Sequence, residues 1–315
     1  MESDAMMMDH IRKYIEFSEI IPISKGYSID QKYLLIAAHG EKYLVRVTES
    51  DDFRVLTAKR DQFGLIRELR QYSSLVPEAY HFWISDSVTS CVMILEYIDG
   101  DDGEESLNSL SRENQYEIGY QAGEELKKLH HLAAPPETPP WHLQKQRKYK
   151  WYCNSFQQMP PELAEVDPGV IDAVIKKYLH HMKDTSQTFQ HDDYHPANLI
   201  IRNGRMSGII DFNRCDWGDP IHDFYKVAYF TRSISIPFAK GQIDGYYQGS
   251  VPPDFWERYI LYCAMSIIPD LVWSGRYADR TGSQSELEKS IQRIRIIYED
   301  HNGFSSTIPR WYTKR

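Results

Sequence analysis

The chain has 315 residues, of which 42% are apolar and 26% charged, and its formal net charge is −9. This length allows one large domain or two lobes with a sizeable core, and the composition is that of a soluble globular protein. The acidic balance argues against nucleic acid or an anionic membrane as a partner. No apolar run approaches the ~18 residues of a membrane helix, and the first residues lack the pattern of a signal peptide.

The cysteines indicate the compartment. They are widely spaced, without a C-x-x-C pair, which is typical of reduced thiols and not of a disulfide frame or a zinc site. We therefore expect a cytoplasmic protein. The four residues are Cys91, Cys153, Cys215 and Cys263.

The first third of the chain is predicted to be mainly strands. A helical spacing of apolar residues at 1–16 comes first, and a second one extends from Phe53 to about Tyr72. A small, mostly antiparallel sheet with one helix fits residues 17–95. Its β-rich runs are residues 20–23, 33–37, 42–47, 80–84 and 91–95.

The remainder is predicted to be mainly helical, after an acidic link at residues 101–105. We therefore predict an α+β protein with a β-rich N-terminal lobe and a mainly α-helical C-terminal lobe. The expected bounds are residues 1–95 for the first lobe, 96–99 for a hinge and 100–315 for the second lobe.

A hairpin is the strongest local prediction. Asn203 and Gly204 form a favourable two-residue turn, because both residue types tolerate positive φ. Its predicted arms are residues 199–201 and 206–210. Folding back about this turn sets Asn198 and Asp211 at the same open end, within ~10 Å of each other.

The hairpin carries the residues that suggest chemistry. The spacing His191-x-Asp193-x-x-x-x-Asn198, followed by Asp211 at a strand end, places three polar groups at its base. Amide and carboxylate oxygens are hard ligands that suit Mg²⁺. His191 and His195 could instead be read as a zinc site, but such pairs usually lie on a helix with a general-base Glu, and Pro196 favours a loop.

This pattern resembles the aminoglycoside phosphotransferase and choline-kinase-like family, whose loop reads H-G-D-x-H-P-x-N and whose following strand ends in I-D-F or I-D-W. The resemblance implies a bilobal protein-kinase-like fold. It covers most of the chain. Its further marks are Gly26-Tyr27-Ser28, Gly123 with Leu126, Leu129 and His130, Gly218-Asp219-Pro220, and the run 241–246.

The resemblance also implies an activity. The protein is expected to be a kinase that moves the γ-phosphoryl group of ATP or GTP to a hydroxyl of an aminoglycoside-like or other small acceptor, which links it to antibiotic resistance. Asp193 would be the catalytic base, and Asn198 and Asp211 would hold Mg²⁺ between protein and nucleotide. The net charge is compatible with a cationic acceptor.

Further site residues follow from the same resemblance. Arg46 stands where a kinase has its phosphate-binding lysine, with a solvent-facing arginine as the alternative, and Glu68 would pair with it, with a surface carboxylate as the alternative. Ser28 would cover the phosphates. Backbone groups of Glu96 and Ile98, in the hinge, would bind the purine.

The acceptor region is the least determined. Aromatic and acidic residues in the last third suit a cationic or sugar acceptor, although an aromatic helical core with a charged face is an alternative at each position. The residues chosen for this role are Asp216, Trp273 and Asp279.

Two departures from the family pattern leave a second function open. Asp192 stands where the family has glycine, and it could raise the pKa of the Asp192–Asp193 pair or point to solvent. Arg46 replaces a lysine. A catalytically weak nucleotide-binding or regulatory kinase-like protein is therefore the alternative to an ordinary kinase.

Overall fold

The computed structural model describes residues 8–25, 30–85, 89–159, 167–183 and 185–313. Its helices and strands fall into two compact units. The smaller unit consists of Met1–Gly100 and Ser207–Asn213, and the larger of Asp101–Met206 and Arg214–Arg315. The segment Ser207–Asn213 belongs to the smaller unit, although the sequence assigned it to the second lobe.

The smaller unit contains an antiparallel sheet of five strands in the order β1-β2-β3-β5-β4. One helix, α1, follows β3, and Asp52 starts it by accepting a hydrogen bond from the N–H of Arg54. The expected sheet with one helix is confirmed. The bounds are β1 Phe17–Ile23, β2 Gln31–Ala37, β3 Lys42–Glu49, α1 Phe53–Leu69, β4 Ala79–Ile84 and β5 Ser90–Glu96.

The sheet is held by one apolar core. Alternate residues of β3 and β5 face it, as the two-residue period of a strand requires, and residues 8–12 form a short helical stretch that packs there. The buried members are Ile11, Phe17, Leu35, Val45, Val47, Val92 and Ile94.

The larger unit is mainly helical, with short strands around the predicted hairpin. Asn203 and Gly204 adopt positive φ of 53° and 71°, which confirms the turn. The strands outside the five-stranded sheet are β6 Asp101–Asp102, β7 Thr188–Gln190, β8 Leu199–Arg202, β9 Arg205–Ile209 and β10 Asp216–Gly218, of which β9 continues into the segment Ser207–Asn213 of the smaller unit. The α-helices are α2 Gly103–Ser106, α3 Arg112–Leu129, α4 Trp141–Phe156, α5 Pro168–Tyr178, α6 Arg232–Ile234, α7 Ile236–Tyr247, α8 Pro253–Thr281, α9 Ser285–Asp300 and α10 Arg310–Thr313.

Helices α3 and α7 pack with their backbones in near contact. A Cβ atom added to Gly123 would lie 2.1 Å from the carbonyl oxygen of Gln242, and one added to Gly245 would lie 2.0 Å from that of Tyr120. Only glycine fits such an approach, which explains the glycines in the middle of these two helices. Within the described ranges, no helix combines the length and apolarity that crossing a membrane requires.

Candidate active site

The loop between β7 and β8 is fixed by one buried carboxylate. Asp223 accepts hydrogen bonds from the backbone N–H groups of His191 (2.9 Å) and Asp192 (2.7 Å). The ring nitrogen Nε2 of His130, on α3, lies 3.0 Å from the same carboxylate. The hydroxyl of Tyr194 donates to the carbonyl oxygen of Ala122 at 2.9 Å. These bonds define the backbone from which Asp193 projects.

Asp193 is held by a lysine. Its Oδ1 lies 2.8 Å from Nζ of Lys226 and 3.5 Å from Nε2 of His195, whereas Oδ2 has Arg214 Nε at 4.0 Å. Burial alone would raise the pKa of Asp193, but Lys226 and His195 outweigh it and hold that pKa well below its usual range. The carboxylate is therefore ionised, and with 16% of its side chain exposed it remains accessible.

Asn198 is oriented by the same loop. Its side chain is buried, and Nδ2 donates to the main-chain oxygen of Asp193 at 2.9 Å. Because the amide nitrogen is used in this way, the amide oxygen is the atom left for a cation. An oxygen ligand of this kind fits Mg²⁺.

Asp192 does not point to solvent. Its φ is 55°, in the left-handed region, and burial raises the pKa of its carboxyl against the opposing effect of Lys226 and Lys145. Its Oδ1 lies 3.4 Å from Nδ1 of His222. Nε2 of His222 lies 2.5 Å from Nζ of Lys145, a lysine of α4 whose pKa burial lowers to about 8.

A second charged cluster, in the smaller unit, is built around Asp30. Nε of Arg46 donates to its Oδ2 at 3.0 Å, Nζ of Lys59 donates to the same atom at 2.8 Å, and the hydroxyl of Thr48 donates to Oδ1 at 2.8 Å. Burial raises the pKa of Asp30, but Arg46 and Lys59 prevail and bring it to about 2. The side chain of Asp30 is fully buried.

Asn213 connects this cluster to Asp211. Its Oδ1 accepts hydrogen bonds from Nη2 of Arg46 (2.8 Å) and Nε2 of Gln62 (3.1 Å). Its Nδ2 donates to Oδ1 of Asp211. Asp211 itself has a φ of 66°. Its carboxylate supplies a hard oxygen ligand, as Asn198 does in the larger unit.

A comparison with models of protein families identifies the family of this chain. A family model described as "Phosphotransferase enzyme family" matches residues 19–258, which is more than half of the chain. The chain belongs to the phosphotransferase enzyme family. No curated protein sequence matches it.

Solved structures of similar proteins show the fold. A ternary complex of streptomycin, ATP and APH(2")-IIa is 21% identical, with 93% of this chain and 96% of that chain covered at a TM-score of 0.63. A GDP complex of aminoglycoside 2'-phosphotransferase-IIIa is 12% identical, with coverages of 95% and 98% and a TM-score of 0.63. Macrolide 2'-phosphotransferase MphH from Brachybacterium faecium is 15% identical, with coverages of 92% and 98% and a TM-score of 0.62. The expected kinase-like fold of aminoglycoside phosphotransferases is therefore confirmed.

One pairing expected for this phosphotransferase is wrong. Arg46 bonds to Asp30 and Asn213, whereas Glu68 is exposed near the end of α1. The helical period explains the difference. Lys59 and Gln62 share the face of α1 that reaches Asn213, and Glu68, nine residues after Lys59, lies about half a turn around the helix. A role for Arg46 or Glu68 in nucleotide binding stays a prediction.

The hinge residues of the phosphotransferase have local partners. The N–H of Glu96 donates to the carbonyl oxygen of Glu78 at 2.8 Å. The side chain of Ile98 occupies the space beside Gly208, where an added Cβ would lie 2.4 Å from its Cδ1. Purine binding by Glu96 and Ile98 stays a prediction, and Ser28 lies outside the described residues.

The three acceptor residues are not gathered on one face. Asp216 lies in β10, where its Oδ1 accepts from the N–H of Trp217 at 2.9 Å. Trp273 is 41% exposed and stacks on Tyr277 at 5.5 Å. Asp279 is exposed on the same helix, α8, six residues on and therefore on a different side of it. Acceptor binding by these residues stays a prediction.

Several charged residues of these two clusters could not be predicted from the sequence. Lys226 follows the Gly218-Asp219-Pro220 turn at a distance that no motif marks, and Asp30 and Lys59 are separated by 29 positions. Only the positive φ of Asp192 had a signal, because the family has glycine there. Across the described ranges, no three His, Cys, Asp or Glu side chains group as a metal site.

Proposed function

We propose that this phosphotransferase is a small-molecule kinase that moves the γ-phosphoryl group of ATP or GTP to a hydroxyl of its acceptor. The observation that carries the proposal is Asp193, an ionised carboxylate with one oxygen bound by Lys226 and the other accessible. A carboxylate in this state can accept a hydrogen bond from an alcohol and take its proton. Family membership and neighbours solved with ATP, ADP and GDP support the nucleotide as donor.

Magnesium is the cofactor that the donor chemistry fits. Asn198 presents an amide oxygen because its nitrogen is bonded to the Asp193 main chain, and Asp211 presents a carboxylate. Two hard oxygens suit Mg²⁺, which usually keeps few protein ligands and completes its shell with water and phosphate. When bound, the ion neutralises phosphate charge, which is the main requirement of phosphoryl transfer.

The acceptor is proposed at the level of its class. Neighbours solved with streptomycin, gentamicin and hygromycin B, and a macrolide phosphotransferase, support a hydroxylated antibiotic as the first acceptor to test. An enzyme of this kind would act in the cytoplasm and confer resistance. Amino alcohols and sugars are the acceptors to test after the antibiotics.

A phosphate-transfer screen tests this function. Wild-type protein with Mg²⁺ and either ATP or GTP is incubated with antibiotics, amino alcohols and sugars, and phosphorylated product is measured by mass spectrometry. We expect product with at least one acceptor class, and we expect Asp193→Ala to reduce its rate by ~10²–10⁴-fold while nucleotide binding is kept. Transfer by Asp193→Ala at the wild-type rate would show that the assignment of Asp193 is wrong.

One observation favours a catalytically weak regulatory protein as the second candidate. Arg46, the expected phosphate cation, is already paired with a fully buried carboxylate. Such a protein would bind nucleotide, seen as a thermal shift with MgATP or MgGTP, but would neither hydrolyse it nor transfer phosphate. Measurable transfer to any acceptor of the screen excludes this candidate.

A further inference from the structure

Lys226 is the buried cation closest to the reacting carboxylate. Its side chain is 3% exposed, and Nζ lies 2.8 Å from Oδ1 of Asp193. The rings of Tyr225 and Phe230 flank the ammonium, with centroids 4.9 and 5.1 Å away. Aromatic faces stabilise a cation electrostatically. Lys226 is therefore fixed in place beside Asp193.

The ammonium has hydrogen-bonding capacity beyond this ion pair. It carries three N–H donors, and the carboxylate of Asp193 uses one of them. An aromatic ring stabilises the positive charge of the ammonium, but it is only a weak hydrogen-bond acceptor for an N–H group. The remaining donors are suited to an anionic oxygen that arrives with a substrate.

The two oxygens of Asp193 have different surroundings. Oδ1 is bonded to Lys226, whereas Oδ2 lies 4.0 Å from Nε of Arg214. The acceptor hydroxyl is therefore expected at Oδ2. Because the oxygens of one carboxylate are only ~2.2 Å apart, a phosphoryl group attacked by that hydroxyl comes within reach of Lys226.

We propose that Lys226 is a further catalytic residue, whose ammonium binds an oxygen of the phosphoryl group during transfer. The inference rests on the proposed kinase function and deepens it. The acceptor oxygen forms the new O–P bond, and its proton moves to Oδ2 of Asp193. The bridging O–P bond of the nucleotide breaks, and its electron pair leaves with the nucleoside diphosphate.

The charge balance explains why a lysine is useful there. Before transfer, Lys226 is neutralised by Asp193. When Asp193 takes the proton it loses its charge, so the full positive charge of Lys226 acts on the phosphoryl oxygens at that moment. An interaction that strengthens only in the transition state accelerates the reaction.

The test uses a transition-state analogue, so it does not depend on knowing the acceptor. Isothermal titration calorimetry measures binding of MgADP with and without aluminium fluoride, which mimics the phosphoryl group in transfer. We expect wild-type protein to bind the fluoride complex more tightly, and Lys226→Met to lose ~10²–10³-fold of affinity for it while affinity for MgADP alone is unchanged. Lys226→Arg is expected to restore part of the loss.

Lys128→Met is the control. It removes a lysine of α3 that pairs with Glu125 at 2.6 Å and not with Asp193, and it is expected to bind the fluoride complex as wild type does. Equal affinities of Lys226→Met and wild type for the complex would overturn the inference, as would a wild-type protein that does not distinguish the complex from MgADP. A merely structural Lys226 would instead lower both affinities together. If the complex depends on Lys226 but no acceptor is phosphorylated in the screen, the proposed acceptor class fails and the inference stands.

Discussion

The clusters around Asp30 and Asp193 use the same pairing of a carboxylate with cations, and they differ in what the pairing leaves accessible. Asp30 is fully buried, and its two oxygens are bonded to Arg46, Lys59 and Thr48. Asp193 is 16% exposed, and only its Oδ1 has a cation in hydrogen-bond contact. Asp30 therefore orients cations, whereas Asp193 is itself oriented by a cation.

The two clusters therefore differ in whether the carboxylate can still accept a hydrogen bond. In the smaller unit both oxygens of the Asp30 carboxylate are bonded within the protein, and the guanidinium of Arg46 donates to Asp30 and to Asn213. In the larger unit the second oxygen of Asp193 is the group that can still accept. The comparison predicts that losing Asp30 harms stability first, and that losing Asp193 harms catalysis first.

Asp30→Asn is expected to have the largest effect on stability. Removal of the charge leaves Arg46 and Lys59 as neighbouring cations with 8% and 15% of their side chains exposed, so the free energy of unfolding should fall by ~3–5 kcal/mol. Asp193→Asn leaves Lys226 without its carboxylate partner, and it should cost ~1–3 kcal/mol. Urea unfolding followed by circular dichroism measures both.

The exposed pair of Asp172 with Lys176 provides the control. Both side chains are more than half exposed, so Asp172→Asn should change stability by less than ~0.5 kcal/mol. If Asp30→Asn lowers the free energy of unfolding by no more than Asp193→Asn does, the difference drawn between the two clusters is wrong.

The parts of this molecule that sequence predicts well are those set by neighbours along the chain. The sheet, the Asn203-Gly204 turn and the loop of Asp193 and Asn198 follow from period, turn chemistry and motif spacing. The charge pairs do not, because Lys226 is 33 positions from Asp193, and 16 positions separate Arg46 from Asp30. The Glu68 pairing failed for the same reason, since sequence order does not state which face of α1 reaches Asp30 and Asn213.

A buried lysine sharpens the comparison, because within the part of the chain that the structure describes no carboxylate is in hydrogen-bond contact with it. Lys145 is buried, and its closest polar neighbour is Nε2 of His222, whose own pKa burial holds well below its usual range. The pKa of Lys145 falls from 10.5 to about 8. Between these values the unfolded chain binds a proton that the folded protein does not, so stability rises with pH in this window.

The lowered pKa of Lys145 can be tested by measuring how the free energy of unfolding depends on pH. Relative to Lys145→Met, wild-type protein should gain free energy of unfolding between pH 8 and pH 10.5, by up to about 3 kcal/mol, since one pKa unit is about 1.4 kcal/mol. At pH 7 the variant should be the more stable of the two. A difference between the two proteins that stays constant from pH 7 to pH 10 would mean that Lys145 is charged in the folded protein throughout.

The smallest expected effect concerns the backbone conformation of Asp192. The side chain of this residue lies beside His222, which in turn contacts Lys145. Asp192→Gly and Asp192→Ala both remove the carboxylate, so their difference in stability reports the φ of 55° alone. An L-residue pays ~1–2 kcal/mol in the left-handed region, so the glycine variant should be more stable than the alanine variant by about that amount. At Glu117, exposed within α3, the same pair should differ in the opposite direction by ~1 kcal/mol, because glycine weakens a helix interior. If alanine were the more stable residue at both positions, the loop that presents Asp193 would have relaxed out of its left-handed turn, and the hydrogen bonds from His191 and Asp192 to Asp223 would not be what fixes it.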